Sequence, residues 1–310
     1  MPKSTLGERT SALPGAPHPI LANLGAYLLL APALLLFGIF IVYPMINSII
    51  ASFYTFSLTN PNRVFIGLQN YRELLADRIF WLALRNNVVI LIGSVAVQVT
   101  AGLVLAALLN RGIERGKTIF RTIIFAPMVM SVVAVGILWQ LIFNPSFGLL
   151  NRFIGLFGVR GPRLGWLGDP DLVIYSILAV ASWQYTGFMM VILLAGMQSI
   201  PGELYEAAKL DGATEVQSFR FITVPGIRNV LIAATLITMI GAFKIFDLIY
   251  VLTLGGPANS SQVLGTYIYQ SAFTLSRMGY ASAIAVILLV FAIVLGIAQL
   301  RLSHSSTRGR

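Results

Sequence analysis

Few residues in this sequence have types and spacings suited to chemistry. GIERGKT, Gly112 to Thr118, carries the glycines and Lys-Thr pair of a phosphate-binding loop, but the Walker pattern needs four residues between its glycines and this stretch has three. It also lacks a preceding strand and joins two apolar runs, so it reads as a basic turn. No other segment offers such a loop, and the chain is not expected to bind and hydrolyse ATP by that route. Cysteine is absent, and the two histidines, His18 and His304, lie near opposite ends of the chain. Neither a metal site nor a nucleophile-histidine arrangement can be assembled from them, so no catalytic residue and no cofactor is expected here.

Three other groups are better suited to handling a solute or a partner. Lys244 and Asp247 are opposite charges inside an apolar run, three positions apart, and on a continuous helix they share a face. Two readings stand: an ion pair that packs helices together, or charges that line a transport route. Trp183, Gln184, Tyr185 and Phe188 gather aromatic faces and an amide in another apolar run. A sugar presents both C–H faces and hydroxyls, which such a set suits; aromatic core packing is the competing reading. The third group is IPGELYEAAKLDGATEVQSFRFITVP, Ile200 to Pro225, the longest segment that carries both signs of charge. Pro201 predicts a helix start, with Glu203 and Glu206 near its positive end. Asp211-Gly212 predicts a turn, and a second amphipathic helix with Val216, Phe219 and Ile222 on one face is expected to end before Pro225.

The elements that must position these groups follow from composition. With 57% hydrophobic and 10% charged residues in 310, the chain cannot clothe a water-soluble surface and reads as an all-α, polytopic membrane protein. Its net charge of +10 is scattered between apolar runs, forming no stripe of the kind nucleic acid requires. Residues 1–23, with four prolines before residue 20 and little apolar content, are expected to form a flexible tail, and the apolar run that follows is too long for a signal peptide. At about 20 residues per crossing, six spans are expected, at about 24–50, 87–110, 120–143, 172–198, 228–253 and 279–301, followed by a tail at 303–310. Pro44 marks a kink site in the first. If the N-terminus is cytoplasmic, the inside segments hold twelve Lys/Arg against eight outside, which orients both termini and the Ile200–Pro225 loop toward the cytoplasm.

Glu206-Ala207-Ala208, Asp211-Gly212-Ala213, Phe219, Ile222 and Pro225 together resemble the EAA loop of membrane subunits in bacterial ATP-binding-cassette (ABC) importers, with Val224 where that pattern has Leu. FIGLQNYRELL (65–75), FWLALRN (80–86) and FKIFDLIYVLTLGGP (243–257) resemble the carbohydrate or glycerol-3-phosphate type of permease, similar to maltose transporters, and the chain looks like the first of a permease pair. The resemblance implies a type I importer permease fold, with Glu206, Ala207, Ala208, Asp211, Gly212, Ala213, Phe219 and Pro225 coupled to an ATPase. It further implies a heterodimer with a second permease, two ATPase subunits that bind and hydrolyse ATP, an extracytoplasmic solute-binding protein, and a place in the bacterial inner membrane among lipid. Gln184, Tyr185, Phe188, Lys244 and Asp247 become candidates to line the path of a sugar or sugar-like solute, with glycerol-3-phosphate or another small polar solute as the alternative. A secondary transporter or channel acting alone is the rival class, since such carriers use intramembrane charges, but it leaves the EAA pattern unexplained. A non-transporting scaffold is a third option.

Overall fold

The computed structural model describes residues 24–112 and 116–305. The expected N-terminal tail lies outside the described residues. Two compact units are distinguished, Met1–Ile50 and Ala51–Arg310. In the first, α1 (Leu24–Phe37), a π-helical turn (Gly38–Val42) and the beginning of α2 (Tyr43–Ala51) follow one another without a break. Pro44 is tolerated because the preceding turn is widened: the Tyr43 N–H reaches the Gly38 carbonyl, five residues back. A wider turn gives the proline ring room that an α-turn denies it.

The second unit adds a short antiparallel pair to the helical expectation, β1 (Tyr54–Thr55) with β2 (Val64–Phe65), Tyr54 standing opposite Phe65. After α3 (Gln69–Ala76), α4 (Arg78–Ser94) runs through a π-turn (Val95–Val99) into α5 (Thr100–Ala107) and a π-turn at Leu108–Gly112. This helix starts at Arg78, ahead of the span expected from 87, because the Asp77 carboxylate caps it by accepting the Ile79 N–H at 2.8 Å. The stretch expected as the third span is two helices, α6 (Lys117–Val129) and α7 (Val132–Ile142), bent by 100° where Met130 becomes extended and Ser131 caps α7. Then follow α8 (Leu149–Gly155), α9 (Val173–Gln198), α10 (Gly202–Leu210), α11 (Glu215–Ser218), a π-turn (Phe219–Thr223), α12 (Val224–Gly226) and α13 (Arg228–Phe243). The chain continues with α14 (Asp247–Thr253), α15 (Leu264–Tyr269), a π-turn (Gln270–Thr274) and α16 (Met278–Ser305). Among the described residues, four helices are long and apolar enough to cross a membrane alone, and the number rises to six if each of two bent pairs is one span.

The second unit packs around α9. Ile174, Ile177 and Val180 join Ile90, Val135, Phe143, Ile249 and Val263 in one buried cluster, while Met189, Met190, Leu193 and Met197 join Ala106, Leu109, Ile227 and Ala234 in another. Close approach is enforced at Gly187, where a Cβ would sit 2.1 Å from the Ile124 carbonyl oxygen of α6. In a membrane, where helices gain little from hiding apolar surface from each other, such small residues let backbones pack.

Candidate functional site

The loop from Ile200 to Pro225 is assembled from local signals. Pro201 stands just ahead of α10 in an extended conformation rather than inside its first turn. At the far end Gly212 takes φ 78°; its N–H donates to the Lys209 carbonyl at 3.2 Å, and the Ala213 N–H reaches back to Ala208 at 2.9 Å. These two bonds form a Schellman cap, so Asp211-Gly212 is the end of a helix as well as a turn. A Cβ at 212 would meet nothing within 4 Å, so glycine is required there by backbone conformation alone. Thr214 then opens α11 with a reciprocal cap: its N–H donates to Gln217 Oε1 at 2.7 Å and its Oγ1 accepts the Gln217 N–H at 3.3 Å.

The second helix does not end before Pro225. It runs to Gly226 and only then bends by 71° into α13, because the π-turn at Phe219–Thr223 widens it just ahead of the proline, with the Val224 N–H on the Phe219 carbonyl. Pro44 and Pro225 thus sit at the same offset from the same device. Phe219 and Ile200 pack on the cluster around Ala106, Met197 and Ile227, and the Tyr205 hydroxyl bonds Thr223 Oγ1 at 3.0 Å, which ties the loop down. Ile222 is half-buried beside Phe219, but Val216 parts from their face and is 75% exposed, as Leu210 is 90% exposed. Glu206, Ala207, Asp211 and Pro225 are exposed too, with Ala208 and Ala213 half-buried. Apolar side chains held outward on a rigid, charged loop form a surface suited to a partner.

Between the two core clusters lies a cavity of about 250 Å³. Tyr185 and Phe188 of α9, Gln98 and Ser94 of the second crossing, Thr238 of α13, and Lys244, Phe246 and Asp247 line it. The expectation that Lys244 and Asp247 share a helix face fails, since the helix stops at Phe243 and resumes at Asp247. Both side chains are exposed, and among the described residues they form no salt bridge with each other. The break is held from outside: Asn87, wholly buried, donates from Nδ2 to the Phe243 carbonyl at 3.3 Å and accepts the Leu264 N–H at 2.8 Å on Oδ1. Its neighbour Asn86 donates to the Ser260 and Gln262 carbonyls at 2.7 and 2.8 Å. Gln184, expected on the solute path, is 1% exposed and outside the cavity lining. Helical geometry explains this, because Ala181, Tyr185 and Phe188 form one stripe on α9 and position 184 lies to its side. Trp183 points elsewhere still, edge-on to Trp139 at 5.5 Å.

A polar lock closes the opposite end of the second crossing. The Tyr267 and Tyr280 hydroxyls both donate to the Asp77 carboxylate, the latter at 2.5 Å, and Arg277 pairs with Glu73 at 2.5 Å while lying over the Tyr280 ring. Burial pushes the Asp77 carboxyl up, but the donated hydrogen bonds from both tyrosines and the Ile79 and Phe80 amides outweigh it and hold the group below its ordinary value. Burial first, and then the hydrogen bond to Asp77, push the Tyr267 hydroxyl up to about 12.

Residues 98–307 match the family described as binding-protein-dependent transport system inner membrane component. The chain belongs to that family. It is 41% identical over 276 residues to the probable ABC transporter permease protein YurN of Bacillus subtilis, covering 89% of this chain and 94% of the relative. It is 35% identical to the lactose transport system permease protein LacF of Rhizobium radiobacter, covering 89% and 93%. The crystal structure of a bacterial ABC transporter involved in the import of the acidic polysaccharide alginate contains a chain that superposes with a TM-score of 0.79 at 26% identity, over 94% of this chain and 97% of that one. This permease is therefore a non-catalytic, multi-pass inner-membrane subunit of an ABC transporter, as the Ile200–Pro225 resemblance implied.

Sequence reasoning passed over Asn87, Ser94, Gln98 and Thr238. A signal was present: Asn87, Ser94 and Gln98 recur at intervals of seven and four in an otherwise apolar run, which on a helix aims polar groups to one side. Of GIERGKT, residues 113–115 lie outside the described residues; Gly116 is left-handed at φ 82° and Lys117 opens α6.

Proposed function

We propose that this permease forms half of the route for a sugar or sugar-like solute, with the cavity at the broken fifth span as its intramembrane station and the Ile200–Pro225 loop as its contact with a cytoplasmic ATPase. One observation carries the reading: aromatic faces (Tyr185, Phe188, Phe246), neutral hydrogen-bonding groups (Ser94, Gln98, Thr238) and two uncoupled charges converge on one cavity inside the membrane. Such a mixture suits a solute with C–H faces and many hydroxyls. Relatives whose names specify lactose, trehalose/maltose and arabinooligosaccharides support the same class. The alternating-access machine requires a second permease with its own loop, two ATPases that bind and hydrolyse ATP, and an external binding protein; the alginate transporter solved with its pentasaccharide-bound periplasmic protein is the parallel. Glu206, Ala207, Ala208, Asp211, Gly212, Ala213, Phe219 and Pro225 form or brace the ATPase-facing surface, and Leu210 and Val216 supply its apolar contacts. Gln184 acts by packing beside the route rather than by touching solute.

The test is uptake of labelled glycans and of glycerol-3-phosphate into vesicles that hold the full complex with its binding protein. ATP-dependent accumulation of a glycan is expected. Accumulation of glycerol-3-phosphate instead would move the reading to the alternative solute, and uptake by this chain alone would overturn it. A cysteine at Lys209 should resist an impermeant thiol reagent added outside, whereas one at Ser146 should react; labelling at Lys209 from outside would remove the ATPase contact.

A further inference from the structure

α6 and α9 are pressed together where Gly187 meets the Ile124 carbonyl. From there toward their Lys117 and Gln198 ends, a groove of about 560 Å³ lies between them, lined by Lys117, Thr118, Arg121, Thr122 and Phe125 of α6 and by Val191 and Gln198 of α9. The groove is graded from charged to apolar. Lys117 opens α6 and Gln198 closes α9, so both stand at the end of the bundle from which the Ile200–Pro225 loop departs. Phe125 and Val191 lie two helical turns further in, roughly 10–12 Å at 1.5 Å per residue. Lys117 and Arg121, four positions apart, share a face of α6, with Thr118 and Thr122 beside them. Among the described residues, no carboxylate lines the groove and neither cation enters a salt bridge. Like charges one turn apart repel, so the pair is unfavourable until an anion joins it. Ile119, Phe120 and Ile123, on the adjoining faces of α6, are exposed apolar side chains of the kind that meets hydrocarbon. Lys117 and Thr118 also end GIERGKT, a motif that neither the solute cavity nor the ATPase contact uses.

We propose that this groove binds one phospholipid with an anionic headgroup, of the phosphatidylglycerol class, from the leaflet on the side of the Ile200–Pro225 loop. Its phosphate diester sits against Lys117 and Arg121, Thr118, Thr122 and Gln198 bond the other headgroup oxygens, and one acyl chain lies on Phe125 and Val191. A phosphate suits the charged end because a guanidinium engages two of its oxygens at once while an ammonium acts as a point charge on a third. Basic pockets between spans at the bilayer edge recognise such headgroups through the same charge complementarity. An acidic side chain of another subunit, or a water-soluble phosphate, satisfies the cations but leaves the apolar floor uncovered. A zwitterionic lipid covers the floor but carries its own cation beside the phosphate. Only an anionic lipid matches both ends of the groove.

The experiment titrates the full complex, held in detergent mixed with phosphatidylcholine, with radiolabelled phosphatidylglycerol and counts the bound label. Wild type should bind it saturably, with excess phosphatidylcholine failing to displace it. Affinity should fall about fivefold in Lys117→Gln or Arg121→Gln and about thirtyfold in the double variant, from the usual contribution of one cation near an anionic lipid. Lys117→Arg, which keeps the charge, should stay within about threefold of wild type, and Arg301→Gln, which removes an exposed cation of α16, within about twofold. Undiminished binding by the double variant, or an equal loss in Arg301→Gln, would overturn the site. Displacement by inorganic phosphate or glycerol-3-phosphate as effective as by unlabelled phosphatidylglycerol would assign the groove to a water-soluble anion and overturn it too. Loss of another subunit from the Gln variants on purification, with Lys117→Arg intact, would assign the cations to an acidic protein partner. Should the double variant fail to assemble, wild type still decides, since displacement of the label by phosphatidylcholine removes the anionic-lipid site.

Discussion

The Ile200–Pro225 loop and the cavity at the fifth span solve opposite problems with the same chain. The loop is short-range: the bonds between Ala208 and Ala213, Thr214 and Gln217, and Tyr205 and Thr223 that shape it join residues within 20 positions. The cavity is long-range: Asn87 reaches 156 positions to Phe243 and 177 to Leu264. A locally determined surface can be presented rigidly to a partner even where it is exposed. A cavity held by distant contacts has its shape coupled to how helices sit against each other, which is what an alternating route requires.

The contrast implies a hierarchy of effects. Asn87→Leu should be the most damaging, because the Phe243 carbonyl and Leu264 amide lose a buried partner, at about 1–3 kcal/mol for each stranded group. Thermal unfolding of the detergent-solubilised complex should show a clear loss, whereas Gly212→Ala, which costs about 1 kcal/mol at φ 78°, should show a smaller one in the same assay. Equal losses for the two would erase the distinction.

Next come the cavity charges. As Lys244 and Asp247 do not pair, Lys244→Met and Asp247→Leu should each insert normally and lose roughly tenfold or more in uptake, taking about 1.5–3 kcal/mol for a hydrogen bond to a charged group. The double variant should be no better than either. Recovery of transport in the double variant would restore the ion-pair reading.

Gly212→Val should insert normally but transmit poorly. Forcing a branched side chain to φ 78° costs at least about 1 kcal/mol, and coupling energies of about 1–3 kcal/mol leave little to spare. Stimulation of ATP hydrolysis by loaded binding protein should drop by about fivefold, and Gly212→Ala should show the same defect more mildly. Wild-type stimulation in the Val variant would remove the loop from the coupling path.

The smallest effect is a pH dependence at the Asp77 lock. Its folded pKa is depressed, so its stabilisation is present above the unfolded value of about 3.9 and is lost as pH falls through the lower folded value. The stability gap between wild type and Asp77→Asn should therefore stay constant from about pH 8 to 5 and close only in acid. A gap that closes near neutrality would assign the stabilisation to another group.

Much of this molecule was set by sequence alone, for physical reasons of range. Apolar runs long enough to cross a bilayer, a glycine where the Ile200–Pro225 loop takes a left-handed residue, and the Thr214-Gln217 cap all act within a few residues of themselves, so their pattern is readable along the chain. The family follows from the same local loop. Tertiary structure decided the rest. No glycine or proline stands between Phe243 and Asp247, yet the helix stops there, because Asn87 from another crossing takes the Phe243 carbonyl. Conversely, the helices run on through Pro44 and Pro225, since a π-turn widens the backbone ahead of each, and the bend near Pro225 comes only after Gly226. Gln184 looked like a solute contact and is buried, while Ser94, Gln98 and Thr238 looked like incidental polar residues and line the cavity. Which side of a helix faces a neighbour is fixed by the packing of the other helices, and in a membrane, where both lipid and neighbour are apolar, sequence hydrophobicity carries little of that information.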